Sequence, residues 1–464
     1  MAEIMTADSA YETWLSGLSL SRVRSLLSSL RCESVLIKRL QSNNNSKNQI
    51  YLAPTANHLA GLPLGTPIPS PGSSMKKGGN SGSLFTIPLP FSWISPSGVV
   101  RAPDAKLCDY PQYPEVRFSG FLRGCSDPPS YLLTKEKRGT EEGRILLIGV
   151  SRSTGECYGL VIPTTVPLNN ALRAIPTERQ GILEVWSLTD SYSGDSRSQL
   201  LARLCEVSRQ DWIPGKRLTK DGLVPYRARN GGGYTLEAEL GIVSNSKAGP
   251  DFHGWEVKQH GVNSLARPRR GEVTLFDIAP DGGEYTELGP VEFGFKRGRA
   301  KPSIDRFDFT GKHRGSKRVE STGLHLEILG FEESQVDPNG LIRLQDDSGL
   351  TAMSWSFTKL VEHWNRKHAQ AAFIGSEKRD VATDSLPIRE YRYAQQIELG
   401  TGTDFSKFLS AIKDGTIAFD PGIKVEREKS GNWKSHARYP FRIGSFDLHT
   451  LYEDFQLVNA CIQV

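Results

Sequence analysis

Eleven residues from Pro250 to His260, P-D-F-H-G-W-E-V-K-Q-H, set two carboxylates and an ammonium in the order D-x4-E-x-K. Glu256 and Lys258 flank Val257 in a short apolar and aromatic run that reads as a strand. Alternate side chains of a strand share a face, so the two charged groups point one way while Val257 enters a core. The turn signalled by Gly249-Pro250 brings Asp251 toward Glu256. Two carboxylates meeting at a point bind a hard divalent cation. A lysine beside them holds or deprotonates a water, or steadies the charge on a phosphate. That is a phosphodiesterase layout, although a solvated strand edge carries the same letters, and the stretch by itself leaves both readings open.

A chain of 464 residues has room for two or three domains. Its 38% hydrophobic and 23% charged residues are the balance of a globular protein and exclude a disordered one. The net charge of +5 permits an anionic partner without demanding one, and the distribution of the cations matters more than the total. Arg267, Arg269 and Arg270 follow the opening stretch, then Lys296, Arg297, Arg299 and Lys301, then Lys312, Arg314, Lys317 and Arg318. Such runs suit a phosphate backbone or a solvated loop. The six cysteines, at 32, 108, 125, 157, 205 and 461, form no CxxC pair and have no histidine at zinc spacing. Reduced thiols in a cytoplasmic protein are therefore expected. No apolar run is long enough to span a membrane, and the first residues lack the pattern of a signal peptide.

Residues 9–31 show helical spacing of Trp14, Leu15, Leu18, Val23, Leu26, Leu27 and Leu30, which predicts one packing helix. Short β-prone runs follow at 35–37, 50–52, 84–87, 116–118, 145–148 and 158–162, separated by loops rich in Asn, Ser, Gly and Pro. They predict an all-β barrel or sandwich up to about residue 170. A helix is expected near 191–208. The Gly231-Gly232-Gly233 run reads as flexible linker, with a helix opening at Tyr234. Beyond the opening strand, further strands are predicted over 272–278, 291–295, 324–331 and 371–374, and helices over 357–367 and 405–413, an α/β or α+β mixture.

Taken together, Gly233-Tyr234-Thr235-Leu236-Glu237, Pro250-Asp251-Phe252-His253 and Glu256-Val257-Lys258 resemble the catalytic core of the MvaI/BcnI restriction endonucleases, relatives of the MutH nickase. Leu275-Phe276, Trp355-Ser356-Phe357, Gly415-Thr416-Ile417 and Phe441-Arg442-Ile443 follow in the same order, so the likeness covers about 227–458. It implies an α/β nuclease core of the PD-(D/E)XK type, with Asp251 and Glu256 as Mg2+ ligands, Lys258 beside the attacking water and Glu237 as a supporting carboxylate. For base reading it implies Lys424, standing where the family has a strand arginine, together with His436, Arg438, Arg442 and Asp420. Lys424 offers less bidentate geometry than arginine, and the alignment around Asp420, His436 and Arg438 requires gaps.

Ile37-Lys38-Arg39-Leu40, the Asn-rich loop after it, Tyr51-Leu52-Ala53-Pro54 and Lys135 to Thr140 resemble the N-terminal effector domain of EcoRII-type enzymes, a B3-like pseudobarrel that grips DNA with two loops. The corresponding segments carry Asn43, Asn44, Asn45 and Lys47, and Lys135, Glu136, Lys137 and Arg138. The implied organisation is a B3-like DNA-binding domain over 1–205, a linker over 206–230 and a nuclease domain over 231–464. The implied function is that of a Type IIE restriction endonuclease: a monomer that cuts double-stranded DNA at 5′-CC(A/T)GG and is stimulated by a second copy of the site. A MutH-like nicking enzyme and a non-catalytic DNA-binding protein are the alternatives.

Overall fold

The computed structural model describes residues 7–462 apart from 44–46, 60, 71–83, 112–114, 176, 189–195, 229, 244–250, 253, 267–270, 369 and 383–387. The expected turn at Gly249-Pro250, the cations Arg267, Arg269 and Arg270, and two of the loop residues, Asn44 and Asn45, lie outside the described residues. The chain divides into two compact units, Met1–Asp195 and Ser196–Val464.

In the first unit Arg144–Ser151 is buried along its whole length, which explains its unbroken apolar reading. It is the central strand of a seven-stranded sheet whose order is Glu178–Gln180, Leu183–Ser187, Ser34–Leu40, Arg144–Ser151, Glu156–Ile162, Phe91–Ser95 and Gly98–Arg101. A second sheet orders Ile50–Ala53, Glu115–Ser119, Lys106–Tyr110, Leu84–Pro88 and Ile68–Ser70. Phe91, Trp93, Phe118 and Phe121 pack edge to face and tilted in the core. The unit is strand-rich rather than all-β, and among the described residues its strands form two open sheets rather than one closed barrel. The amphipathic segment at its start is two helices, Ala7–Ser16 and Leu20–Ser29, because Ser19 caps the second by accepting the Arg22 N–H. Lys135–Thr140 is a short third helix and Pro167–Ala174 a fourth, with Pro at its first turn.

The second unit is a mixed α/β domain. Its main sheet orders Ile213–Pro214, Ile388–Thr401, Gln370–Val381 and Glu256–Gly261, and Asp454–Asn459 also pairs with Ile388–Thr401. Glu256–Gly261 runs parallel to Gln370–Val381. Helices Ser196–Ser208 and Gly231–Glu239 contribute Leu200, Leu204, Val207 and Leu236 to a core shared with Val257, Ala372, Ile374 and Leu399. Residues 206–230, expected as a linker, hold the end of that first helix, Ile213–Pro214 and the hairpin of Lys216–Thr219 with Gly222–Pro225. Val207 and Ile213 are buried in the same core, which is why the compact unit starts at Ser196.

The remainder is built around Phe276, Trp355, Trp364, Phe408, Phe419 and Phe441, whose rings meet across two helices and four strands. One sheet orders Glu272–Asp277, Pro440–Gly444, Ile417–Phe419 and His313–Arg314, and another orders Arg299–Lys301, Arg306–Thr310, Gly422–Arg427 and Trp433–His436. The helices Phe357–Lys367 and Phe405–Lys413 fall where their apolar periodicity predicts.

Three expectations are corrected. Residues 291–295 are not a strand but part of the helix Glu284–Arg297. The backbone kinks at Gly289, where φ is 76°, and Pro290 then starts a helical turn that buries Phe293 against Tyr285 and Phe309. The glycines at 231–233 are not a flexible linker but the first turn of a packed helix. A Cβ on Gly231 would meet the Tyr391 hydroxyl at 2.7 Å, and one on Gly232 would meet Gln259 Oε1 at 2.9 Å. Finally, Cys205 and Cys461 form a disulfide across 256 residues of sequence, whereas Cys32, Cys108, Cys125 and Cys157 are free. Linear spacing carries no trace of a pair made by docking the C-terminal segment against a helix.

Candidate active site

Phe252 and Trp255 exchange both backbone hydrogen bonds, at 2.9 and 2.8 Å, across a tight turn whose Gly254 has φ 93°. Glycine adopts that left-handed conformation without a Cβ penalty. The turn folds Asp251 back along the following strand, where its Oδ2 accepts the Val257 N–H at 3.0 Å. Asp251 is thereby held beside the residue that follows Glu256.

Glu256 is 1% exposed, and its Oε1 receives Lys258 Nζ at 2.6 Å. Val257 between them is buried in the core on the opposite face, as the period of a strand requires. Burial works against the charge on Lys258, but the fields of Glu256, Asp251 and Glu237 outweigh it and hold the ammonium above its ordinary pKa. All three expected carboxylates therefore act on one lysine. Glu237 acts on it through charge, as the last of these influences, from the helix Gly231–Glu239, which packs against the strand through the glycine contact with Gln259.

The donor set fits a hard divalent cation. Among the described residues no group of three or more His, Cys, Asp or Glu is gathered tightly enough to enclose a metal. Magnesium rarely occupies such a cage; it keeps waters and takes one or two carboxylates plus phosphate oxygens. Asp251 and Glu256 are the carboxylates placed to offer that part. Tyr452 was not singled out by sequence. Its hydroxyl is pushed upward first by burial and then by the charge of Glu256, and it pairs with His368 Nδ1 at 3.3 Å. A buried tyrosine so far downstream leaves no signal in linear spacing.

The residues expected to read bases lie on strands of two sheets and in the connections between them. Arg442, on Pro440–Gly444, is paired with Asp420 at 3.4 Å. Lys424 and His436 sit opposite each other on adjacent strands, and both are exposed. Arg438 is exposed at the next turn, with its backbone bonded to that of Gly422. Sequence reasoning missed Glu426, whose carboxylate stands 3.5 Å from His436. Its alternation with Lys424 along the strand is the signal that points to it. The uncovered face of this sheet is charged, while the other packs on helix Glu284–Arg297 through Phe293, Gly294 and Phe295.

In the first unit the two expected segments meet, but only the Asn-rich one is a loop: Lys135–Thr140 is a short helix whose Thr134 cap accepts the Lys137 N–H. The Asn43 N–H donates to the Arg138 carbonyl at 2.6 Å, and the Arg138 guanidinium donates to the carbonyls of Leu133 and Lys47 at 3.2 and 3.4 Å. Arg138 is 6% exposed, so it ties the Asn-rich loop to that helix from within. Lys135 and Glu136 are exposed, and Lys137 lies over the Tyr131 ring at 5.3 Å. A cleft of about 720 Å³ beside Lys47 is also lined by Lys106 and Arg123.

Among solved structures, the complex of restriction endonuclease MvaI with cognate DNA substrate is 20% identical, with a TM-score of 0.43, over 57% of this chain and 99% of that one. MvaI in the absence of DNA is 18% identical, with a TM-score of 0.33, over 58% of this chain and 99% of that one. No curated protein sequence matches the chain. No described helix is long and apolar enough to cross a membrane. The profile of the MvaI/BcnI restriction endonuclease family matches residues 201–452, a span that takes in Glu237, Asp251, Glu256, Lys258 and every residue of the Asp420 to Arg442 group. With more than half of its length in that match, the chain belongs to the MvaI/BcnI restriction endonuclease family, whose members are site-specific deoxyribonucleases.

Proposed function

We propose that the protein is a Type IIE restriction endonuclease that hydrolyses both strands of DNA at 5′-CC(A/T)GG with Mg2+ as cofactor. The observation that carries the catalytic part is the gathering of Asp251, Glu256 and Glu237 around Lys258 at one end of a parallel strand pair. Asp251 and Glu256 hold the metal, which when bound supplies Lewis-acid polarisation of the scissile phosphate. Lys258, kept as an ammonium by its neighbours, orients the attacking water and offsets the negative charge that grows on the phosphoryl oxygens. Glu237 holds that ammonium from the helix side. Asp420, Lys424, His436, Arg438 and Arg442 read the site, with Arg442 steadied by Asp420.

The first unit is read as the B3-like effector domain, binding a second copy of the site through Asn43, Asn44, Asn45, Lys47, Lys135, Glu136 and Lys137, with Arg138 holding the two segments in place. Support comes from the meeting of the Asn-rich loop with the helix Lys135–Thr140 and from the cations that line the adjacent cleft. The enzyme is read as a cytoplasmic monomer.

Digestion of a sequenced plasmid with Mg2+, followed by end mapping, tests the whole reading. Double-strand ends within CC(A/T)GG, loss of cutting in EDTA and stimulation by a cognate oligonucleotide are expected. Arrest at the nicked circle, or ends at unrelated sequences, would overturn it.

A further inference from the structure

His260 continues the alternation of the catalytic strand. Glu256, Lys258 and His260 occupy every second position of Glu256–Gly261 and so share one face. Their parallel partners on that face are Ala371, Phe373 and Gly375. The step from Lys258 to His260 is about 6.6 Å along the strand, close to the separation of successive phosphates on one DNA strand. A groove that seats the scissile phosphate at Glu256 and Lys258 thus brings a neighbouring phosphate over His260.

The surroundings of the imidazole suit that contact. Nδ1 is buried and has no hydrogen-bond partner among the described residues. Unpaired buried N–H groups are rarer than unpaired acceptors, so the ring proton belongs on Nε2. Burial also lowers the pKa of His260, keeping the ring neutral with that single donor. The Nε2 edge lies over Gly375, where a Cβ would stand 3.8 Å away and begin to cover it. Opposite Gly375 the pairing of Gln370–Val381 with Ile388–Thr401 shifts register, so residues 394–396 bulge out of the ladder at the same level. Bulges of this kind concentrate beside active sites, where they re-aim side chains.

We propose that His260 is a DNA-contacting residue of this site, its Nε2–H donating to an oxygen of a phosphate next to the scissile one. The proposal rests on the nuclease reading above and adds a backbone contact to it. A hydrogen bond to a charged oxygen lost on truncation predicts cleavage about tenfold slower at subsaturating DNA in His260→Ala. His260→Gln, which keeps a donor, is expected to recover most of that loss.

The deciding experiment uses the full chain, Mg2+ and synthetic duplexes carrying the mapped site, with one neutral methylphosphonate at either neighbour of the scissile phosphate. One of the two placements should slow the wild type by the factor that His260→Ala costs, and should slow His260→Ala no further. Multiplicative losses at both placements, or wild-type cleavage by His260→Ala, would overturn the contact. A purely structural role would show as a lowered Tm in both variants with the methylphosphonate effect intact in each, which also overturns it. Wild-type cutting by Lys258→Ala would instead bring down the underlying nuclease reading, a result distinct from any of these.

Discussion

Lys258 Nζ lies 2.6 Å from Glu256 Oε1, two positions away on the same face of one strand, with the side chain of Glu256 almost wholly buried. A buried carboxylate without a cation is costly, so the pair is also a structural unit. Removing the ammonium by Lys258→Ala is expected to reduce the single-turnover cleavage rate by about 10²–10⁴-fold. Specific DNA binding should be kept, because the residues proposed to read bases lie elsewhere in the unit. Parallel measurement of cleavage and of fluorescence anisotropy on a labelled duplex checks both halves. Undiminished cutting would remove Lys258 from the site.

Arg442 is held by Asp420 at 3.4 Å before any base is met. Arg442→Ala is expected to lose about 1–3 kcal/mol of discrimination between the cognate duplex and one altered at a single base pair. Asp420→Asn leaves the guanidinium in place but frees its orientation, and a smaller loss of the same kind is expected. Competition binding at fixed salt reads both.

Gly294 faces Val425 across the contact between helix Glu284–Arg297 and strand Gly422–Arg427, and a Cβ there would overlap the valine side chain. Overpacking costs about 1–3 kcal/mol, and the gain of about 1 kcal/mol in helix propensity offsets only part of it. Gly294→Ala should therefore destabilise the second unit by about 1–2 kcal/mol in denaturant titration. Adding Val425→Ala should return part of that loss, since residues in direct contact couple.

His313 is fully buried on a strand paired with Ile417–Phe419, and burial pushes its imidazole down to about 4, against the raising effect of hydrogen bonds with the Phe419 and Gly311 backbone. The unfolded chain binds its proton at the ordinary 6.5, so between these values it holds more protons than the folded protein. Stability is thus greatest above pH 6.5 and falls as pH drops toward about 4, by an amount on the order of 3 kcal/mol. Thermal melts from pH 7.5 to 4.5 should show this slope, and His313→Asn should flatten it. An unchanged slope would show that other groups govern the acid limb.

Much of this architecture was legible in the linear chain because it depends on local periodicity. The helix Phe405–Lys413 and the strands at 145–148 and 272–277 announce themselves by apolar spacing, and E-x-K by the two-residue period of a strand. The misreadings have physical causes. At 291–295 the alternation of Val, Phe and Phe mimics a strand, but Pro290 and the burial of Phe293 make a helix. At 231–233 a run that is flexible in isolation is made rigid by Gln259 and Tyr391 pressing on it. Arg138 looks like a loop cation until its three backbone partners are brought to it.

By itself the sequence determined which chemistry is present: two carboxylates and a lysine at strand spacing, a glutamate on the preceding helix, and a series of cations toward the C-terminus. These are matters of residue type and short-range geometry, which covalent distance and backbone period settle. Only the tertiary structure decided which of those groups act on one another. The turn at Gly254 ties Asp251 to the Val257 amide, the glycine-faced helix brings Glu237 within the field of Lys258, and adjacent strands set Lys424 against His436. Those relations span chain separations over which local periodicity carries no information, because they are fixed by which surfaces bury one another.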